Sequence, residues 1–173
     1  MALAISGTGN GSLNNLALSA NTGTVVDTAR AGGIIQVVTA TTSTAVAVST
    51  TTYTDTTLTA SITPSSSSNK ILVLVMQSFV ASRSASGQGI GLNLLRDTTT
   101  IWDGQGNYHT FASVTNIDGH AQINYLDSPA TTSSVTYKTQ GRPYSTANSG
   151  TVTFQYLSPS TGPSTITLIE VVA

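Results

Sequence analysis

Histidines and carboxylates are the residues of this sequence that could hold a metal ion or transfer protons, and they are few. Two histidines occur, His109 and His120, with Asp103, Asp118 and Asp127 as the nearest carboxylates. A metal site needs several such ligands converging on one point, and their spacing does not favour that. We therefore expect both histidines to be surface or edge-strand residues, and we expect no metal and no other cofactor.

Catalytic arrangements are equally scarce. A serine hydrolase is defined by geometry, but the Gly-x-Ser-x-Gly nucleophile elbow does not occur. Glycoside cleavage needs two carboxylic acids at a defined separation, and the chain offers Glu170 and six aspartates at turns or strand ends. The absence of cysteine excludes disulfides, thiolate metal sites and thiol nucleophiles. We predict no catalytic residues and no enzymatic activity.

One segment combines aromatic and planar polar side chains and is the best candidate for ligand recognition. Asp103-Gly104-Gln105-Gly106-Asn107 is glycine-rich, which favours a surface loop. An aromatic face beside amide and carboxylate groups suits a carbohydrate. The predicted glycan-binding residues are Trp102, Asp103, Gln105, Asn107, Tyr108 and His109. The alternative for Trp102 is a place in the core, and Arg142-Pro143-Tyr144 is a second candidate for ligand or intersubunit contact.

The composition predicts an all-β protein. Charged residues make up 8% of the chain, whereas about 25% is usual, and Ser and Thr take their places. β-Branched Thr suits a pleated sheet, and both hydroxyl residues disfavour helices. With a formal net charge of −1 and no basic stripe, we expect no nucleic-acid binding. No apolar stretch approaches the roughly 20 residues of a membrane span, so we expect no membrane insertion.

Short apolar segments separated by turn residues predict about eight to ten strands. Leu58, Ala60 and Ile62 alternate with polar residues, as in a half-buried strand. The continuous apolar run from Ile71 to Met76 predicts a central strand covered on both faces. Asp118-Gly119 is interpreted as a link between two later strands. Turns every 8–12 residues favour a β-sandwich, and a two-sheet jelly roll fits the length best.

Gly32-Gly33 divides the chain into two parts. Residues 1–33 are predicted to form an extended N-terminal attachment arm, and residues 34–173 a jelly-roll-like β-sandwich domain. The arm carries small apolar clusters that need a partner to cover them. These apolar residues are Leu13, Leu16, Leu18, Val25 and Val26. The beginning of the chain lacks the pattern of a secretory signal, so we expect assembly in a cytoplasm.

Two phrases of the sequence resemble a module of bacteriophage virion proteins. They are Ile62-Thr63-Pro64-Ser65-Ser66, followed by Lys70-Ile71-Leu72-Val73, and the final segment from Ser164 to Ala173, which includes Thr165–Val171. Together with Gly33–Val38 they resemble tail-fibre-like and other virion structural proteins, notably of aquatic phages, over residues 33–173. The resemblance implies a jelly-roll-like domain, often trimeric, on the outside of a virus particle and without catalytic residues.

The sequence and the resemblance together lead to one expected function and two alternatives. We expect a trimeric short tail-fibre or receptor-binding component of a virion, attached by the arm to other virion proteins, with a host-surface glycan as a further partner. The few charges available to protect strand edges also favour a homotrimer. The first alternative is a capsid decoration or cement protein that clamps neighbouring capsid subunits. A cellular lectin-like module is the second.

Overall fold

Ten strands and one short 3₁₀ helix make up the described part of the chain. The computed structural model describes residues 32–84, 87, 89–106, 116–156 and 162–173. The all-β prediction is confirmed for these residues. The elements are β1 (Ile34–Thr42), β2 (Val46–Val48), β3 (Thr54–Ile62), β4 (Lys70–Ser82), β5 (Ile90–Arg96), β6 (Thr99–Gly106), β7 (Asn116–Asp127), β8 (Val135–Pro143), the 3₁₀ helix Ala147–Ser149, β9 (Thr151–Phe154) and β10 (Ser164–Val171).

Eight of these strands pair as one long antiparallel ribbon that is folded over on itself. From the ends of the ribbon inward, β1 pairs with β10, β3 with β8, β4 with β7 and β5 with β6. Two further pairings, β10 with β4 and β8 with β5, join the ribbon into two sheets. This connectivity is that of a jelly roll, which confirms the predicted fold class.

The two sheets pack face to face around one apolar core. Sheet A contains β1, β10, β4 and β7, with β9 and β2 extending it, and sheet B runs β3-β8-β5-β6. Alternate residues of β3 are buried, namely Leu58, Ala60 and Ile62, as their spacing predicts. In β10, Ile166 and Leu168 point inward in the same way. Each sheet therefore has an inner face in the core and an outer face.

β4 lies at the centre of sheet A, but the prediction that both its faces are covered was wrong. A strand turns successive side chains to opposite faces, so a continuous apolar run divides into two sets. The inward set is buried in the core, while the outward set is half-buried or exposed. The inward residues are Ile71, Val73 and Val75, and the outward residues are Leu72, Leu74 and Met76.

Polar side chains with no solvent exposure connect the two sheets across the core. Thr139 of β8 donates to Gln77 Oε1 of β4 at 2.8 Å, and Thr56 Oγ1 hydrogen-bonds to Thr139 Oγ1 at 2.5 Å. On the other side, Gln77 Nε2 donates to Ser164 Oγ of β10 at 2.9 Å. A buried polar network costs stability unless its members are paired, so it favours one register of the two sheets over slipped ones.

A second polar connection lies near one end of the sandwich. Arg96 of β5 donates to both carboxylate oxygens of Asp127, at 3.0 and 2.9 Å, and Asp127 ends β7 in the opposite sheet. The hydroxyl of buried Tyr137 donates to the same carboxylate at 2.7 Å. Burial and this hydrogen bond raise the pKa of the Tyr137 hydroxyl above its ordinary value, so it stays a donor at physiological pH.

Glu170 is a buried carboxylate that fixes the turn between β3 and β4. It accepts hydrogen bonds from Gln36 Nε2 at 2.6 Å, from the Ser65 backbone N–H at 2.7 Å and from Asn69 Nδ2 at 2.6 Å. The Ser65 hydroxyl adds a fourth at 2.8 Å. Burial by itself raises the pKa of this carboxyl, but the hydrogen bonds from Asn69, Gln36 and Ser65 outweigh it, so the pKa is lowered.

Replacing this carboxylate tests its contribution to stability. We expect Glu170→Gln to lower the free energy of unfolding at pH 7 by about 2–3 kcal/mol, because charge-assisted hydrogen bonds are lost. Since the folded pKa is depressed, the contribution is present above the ordinary value of 4.5 and lost as the pH falls through the folded value. Urea unfolding from pH 7 to pH 3 should therefore show the two proteins converging in acid.

Asp55→Asn is the matched control. Asp55 lies in an exposed ion pair with Lys138 at 2.9 Å, and such pairs contribute at most about 1 kcal/mol. An equal loss of stability in both variants at pH 7 would contradict the assignment to Glu170.

Two strand glycines provide a second test of the packing. A side chain at Gly141 in β8 would collide with the Phe154 ring, whereas one at Gly119 in β7 would meet the Phe79 ring at an ordinary 3.9 Å. We expect Gly141→Ala to cost about 1–3 kcal/mol, as overpacked core positions do. Gly119→Ala should change the free energy of unfolding by less than about 1 kcal/mol. Equal effects in thermal unfolding would show that the Phe154 ring does not pack as described.

Candidate binding surfaces

The segment predicted as a recognition loop is in large part a strand. β6 continues through Gly106 and pairs with β5, so the loop prediction was wrong for residues 103–106. The glycines have another role here, since the Trp102 ring occupies the space that a side chain at Gly104 would need. The link predicted at Asp118-Gly119 was also wrong, because both residues lie inside β7. In both segments, the hydrogen bonds between paired strands outweigh the preference of these residues for turns.

The structure separates the first two residues of the predicted glycan site. Trp102 is half-buried and packs against the core cluster, which agrees with the alternative assignment of its ring. Asp103 is exposed on the opposite, outer face of sheet B and accepts a hydrogen bond from the Tyr53 hydroxyl at 2.8 Å. The remaining members, Asn107, Tyr108, His109 and the Gln105 side chain, lie outside the described residues, so a site that includes them stays a prediction.

The outer face of sheet B carries a row of polar residues across all four strands. The strand pairings place Asp55, Gln140, Asn93 and Asp103 side by side, in that order. Gln140 Nε2 donates to Asp55 Oδ1 at 2.6 Å, and Lys138 Nζ donates to Asp55 Oδ2 at 2.9 Å. The hydrogen bonds from Lys138 and Gln140 lower the pKa of Asp55 below its ordinary value. The charge of Asp55, at the β3 end of the row, is therefore paired with that of Lys138.

Beside this row, Arg142 packs against the Tyr53 ring. The Arg142 guanidinium is 5.0 Å from the centroid of the Tyr53 ring, a cation–π arrangement. Gly91 leaves room for both, since a Cβ there would lie 2.9 Å from the Tyr53 hydroxyl and 3.1 Å from Arg142 Cγ. Burial and the hydrogen bond to Asp103 raise the pKa of Tyr53, so its hydroxyl remains protonated.

Asn93 has the least satisfied side chain of this surface. It is 6% exposed, and its buried Oδ1 has no hydrogen-bond partner in the described part of the chain. A buried acceptor without a donor costs about 1–3 kcal/mol. Arg142 was already a sequence candidate, and the alternation of Lys138, Gln140 and Arg142 was a signal for one polar face. Tyr53 and Asn93 were missed, because only the strand pairing brings them there.

The outer face of sheet A is different in character. The pairings of β1, β10, β4 and β7 align Val37, Ile169, Leu72 and Leu126 in one apolar row. Val37 is 55% exposed and Leu126 50% exposed, while the two middle residues are half-buried. Four apolar side chains in a row on an outer face are unusual, since antiparallel sheets ordinarily turn polar residues to water.

Two further rows follow the apolar one and carry no charge. The first contains Thr39, Thr167, Leu74 and Asn124, and the second contains Thr41, Thr165, Met76 and Gln122. The hydroxyls of neighbouring threonines hydrogen-bond to each other in both rows, at 3.2 and 3.5 Å. A shallow groove of about 280 Å³ runs between Leu74, Met76 and the flanking polar side chains. We call the three rows together the neutral face.

Within the described residues, the histidines and carboxylates form no cluster that could bind a metal. His120 is exposed on β7, and His109 lies outside the described residues. In the described ranges, no three His, Cys, Asp or Glu residues converge on a possible ion. Within those ranges, no helix is long and apolar enough to cross a membrane. The apolar arm residues Leu13, Leu16, Leu18, Val25 and Val26 lie outside the described residues, as does all of the chain before Gly32.

Comparison with known proteins yields matches among solved structures alone. No family model and no curated protein matches the chain. The match to the VP2 subviral particle of infectious bursal disease virus covers 80% of this chain and 37% of the viral chain, with 14% sequence identity and a TM-score of 0.43. The T13 particle of that virus matches 80% and 36%, at 14% identity and 0.42. The Gx strain of the virus matches 80% and 37%, at 13% identity and 0.42.

This chain therefore spans little more than a third of the length of the viral proteins it matches, which are covered to 37% and 36%. A likeness of this degree does not by itself indicate a function.

Proposed function

We propose that this protein is a non-enzymatic structural subunit of a virus particle, which assembles with further copies of itself through the neutral face. The observation that carries the proposal is the apolar row Val37, Ile169, Leu72 and Leu126 on the outside of sheet A. Burying an exposed Leu or Val side chain completely contributes about 1.5–3 kcal/mol. Covering this row therefore supplies a substantial part of the free energy that an assembly needs.

A second copy of this chain fits the neutral face better than a charged partner does. The three rows offer apolar groups, hydroxyls and amides but no ionised side chain, so a partner with charges would leave them unpaired on burial. Another neutral face, or the equally low-charge remainder of this chain, carries no such penalty. Closed symmetry then removes the exposed apolar surface altogether. We propose a homotrimer, in line with the resemblance to virion modules.

We propose a second attachment through the N-terminal arm. Gly32 N–H donates to the Val172 carbonyl at 2.8 Å, so the described chain begins beside the end of β10, and residues 1–31 precede this point. Their leucines and valines, listed above, need cover. We assign this arm to contacts with other virion proteins.

Two locations on a particle fit these features. The first is a short tail fibre or receptor-binding component, in which sheet B faces outward from a trimer. The second is a capsid decoration or cement protein, in which the N-terminal arm clamps a neighbouring capsid subunit. Copy number separates them, because a fibre is present a few times per particle and a decoration protein hundreds of times.

A charge placed in the apolar row tests the assembly proposal. We expect the full chain to have the mass of a trimer in light scattering, and Leu126→Glu to shift it to monomers, because a carboxylate would be buried without a partner. Leu126 is half-exposed, so the monomer should retain its circular dichroism spectrum.

Ser61→Glu is the control, since Ser61 is exposed on the outer face of sheet B. It should leave the trimer intact. A wild-type chain that remains monomeric at high concentration, or a Leu126→Glu variant that still assembles, would refute the proposal.

A further inference from the structure

We propose that the outer face of sheet B is a binding site for a neutral, hydroxyl-rich ligand, with a saccharide as its chemical class. The residues that form it are Tyr53, Gly91, Asn93, Asp103, Gln140 and Arg142. The site replaces the predicted 102–109 loop by residues that the strand pairings bring together from β8, β5 and β6, with Tyr53 immediately before β3. It lies on the sheet opposite the neutral face, and it goes beyond the assembly function without depending on it.

The charge balance of this surface decides the class of ligand. Asp55 and Asp103 contribute two negative charges, and Lys138 and Arg142 contribute two positive ones, so the sum is zero. Lys138 is paired with Asp55, and Arg142 lies over Tyr53. A phosphate or sulfate needs an excess of positive charge, and a divalent cation needs an excess of carboxylates. Neither excess is present, which leaves a neutral ligand.

Hydroxyl groups match the hydrogen-bonding capacity of the site. Each hydroxyl both donates and accepts, and the site offers both kinds of partner. Arg142 and the amides donate, whereas the Asp103 carboxylate and the amide oxygens accept. Adjacent positions on antiparallel strands are about 4.5–5.5 Å apart, so Asn93 and Asp103 can receive two neighbouring hydroxyls of one sugar ring.

Asn93 is the independent indication that something binds here. Its side chain is more than nine-tenths buried, and Oδ1 has no donor within the described ranges. The pairings place it between Gln140 and Asp103, at the centre of the row. A ligand hydroxyl that displaces a neighbouring side chain of the row supplies the missing donor, and the orphan acceptor then contributes to affinity where it had cost stability.

The Tyr53–Arg142 pair gives the site a fixed boundary. Because Gly91 has no side chain, the Tyr53 hydroxyl and the Arg142 side chain approach the β5 backbone closely, and the hydroxyl reaches Asp103. An aromatic group held in place by these contacts adds apolar contact area for a sugar with little loss of side-chain entropy on binding.

The test uses the full chain on an array of neutral and acidic oligosaccharides, followed by calorimetry with the strongest neutral binder. We expect a Kd of about 1 mM or tighter. Asp103→Asn and Arg142→Ala should each weaken binding by about tenfold, because each removes a charge-assisted hydrogen bond. Asp103 is exposed, so its variant should fold normally. The control, Thr39→Ala on the neutral face, should bind as the wild type does.

Three results would overturn the inference. They are binding of acidic or sulfated oligosaccharides alone, no binding to any member of the array, and equal binding by all variants. In the last two cases the polar row would be a ladder of side chains that only stabilises sheet B. Light scattering on the same samples keeps this test separate from the assembly proposal, because Asp103→Asn should remain a trimer whichever result is obtained.

Discussion

The alternation of side chains along β4 is the constraint on which the rest of the structure depends. A strand at the centre of a sheet sends every second residue inward, so the apolar run Ile71–Met76 cannot be buried in one core. Half of it fills the sandwich, where Ile71 and Val73 have no exposure. The other half reaches the outer face of sheet A. Neighbouring strands continue that face with Val37, Ile169 and Leu126, so the apolar surface belongs to the fold and not to one side chain.

The contacts that hold the two sheets together leave the side chains of the outer faces available for binding. The Gln77 network and the Asp127 contacts connect the sheets from inside, and Glu170 fixes the turn before β4. Gln77, Asp127 and Glu170 are all buried, and hydrogen bonds to buried groups favour one register of the two sheets. The outer faces are then able to diverge. The outer face of sheet A carries the uncharged rows of the neutral face, and the outer face of sheet B carries a polar row with balanced charges.

Much of this fold could be predicted from the sequence. The alternation at Leu58, Ala60 and Ile62 predicted the inner face of β3 correctly, because a period of two holds whichever strands lie beside it. The composition predicted the all-β class, and the regular turns and the length predicted the jelly roll. β4 was correctly predicted as central, but the reason for that prediction, cover on both faces, was wrong, because its outward residues are half-buried or exposed.

The candidate site was predictable only in part, since strand pairing and not sequence proximity creates it. Trp102 and Asp103 are neighbours in the chain and lie on opposite faces, whereas Asp103 and Tyr53 are 50 residues apart and share a hydrogen bond. The glycines near Asp103 signalled a loop, yet Gly104 accommodates an indole ring inside a strand. No local pattern indicates such a role, because it depends on which side chain crosses over the glycine.

Thiol labelling tests most directly whether another copy of the chain covers the neutral face. The chain has no cysteine, so Leu126→Cys and Ser61→Cys each introduce a single thiol. Both positions are exposed in the isolated chain. We expect that, in the native full chain, a maleimide reacts far more slowly at position 126 than at position 61, and that the two positions react equally fast after denaturation. Equal rates in the native protein would contradict it.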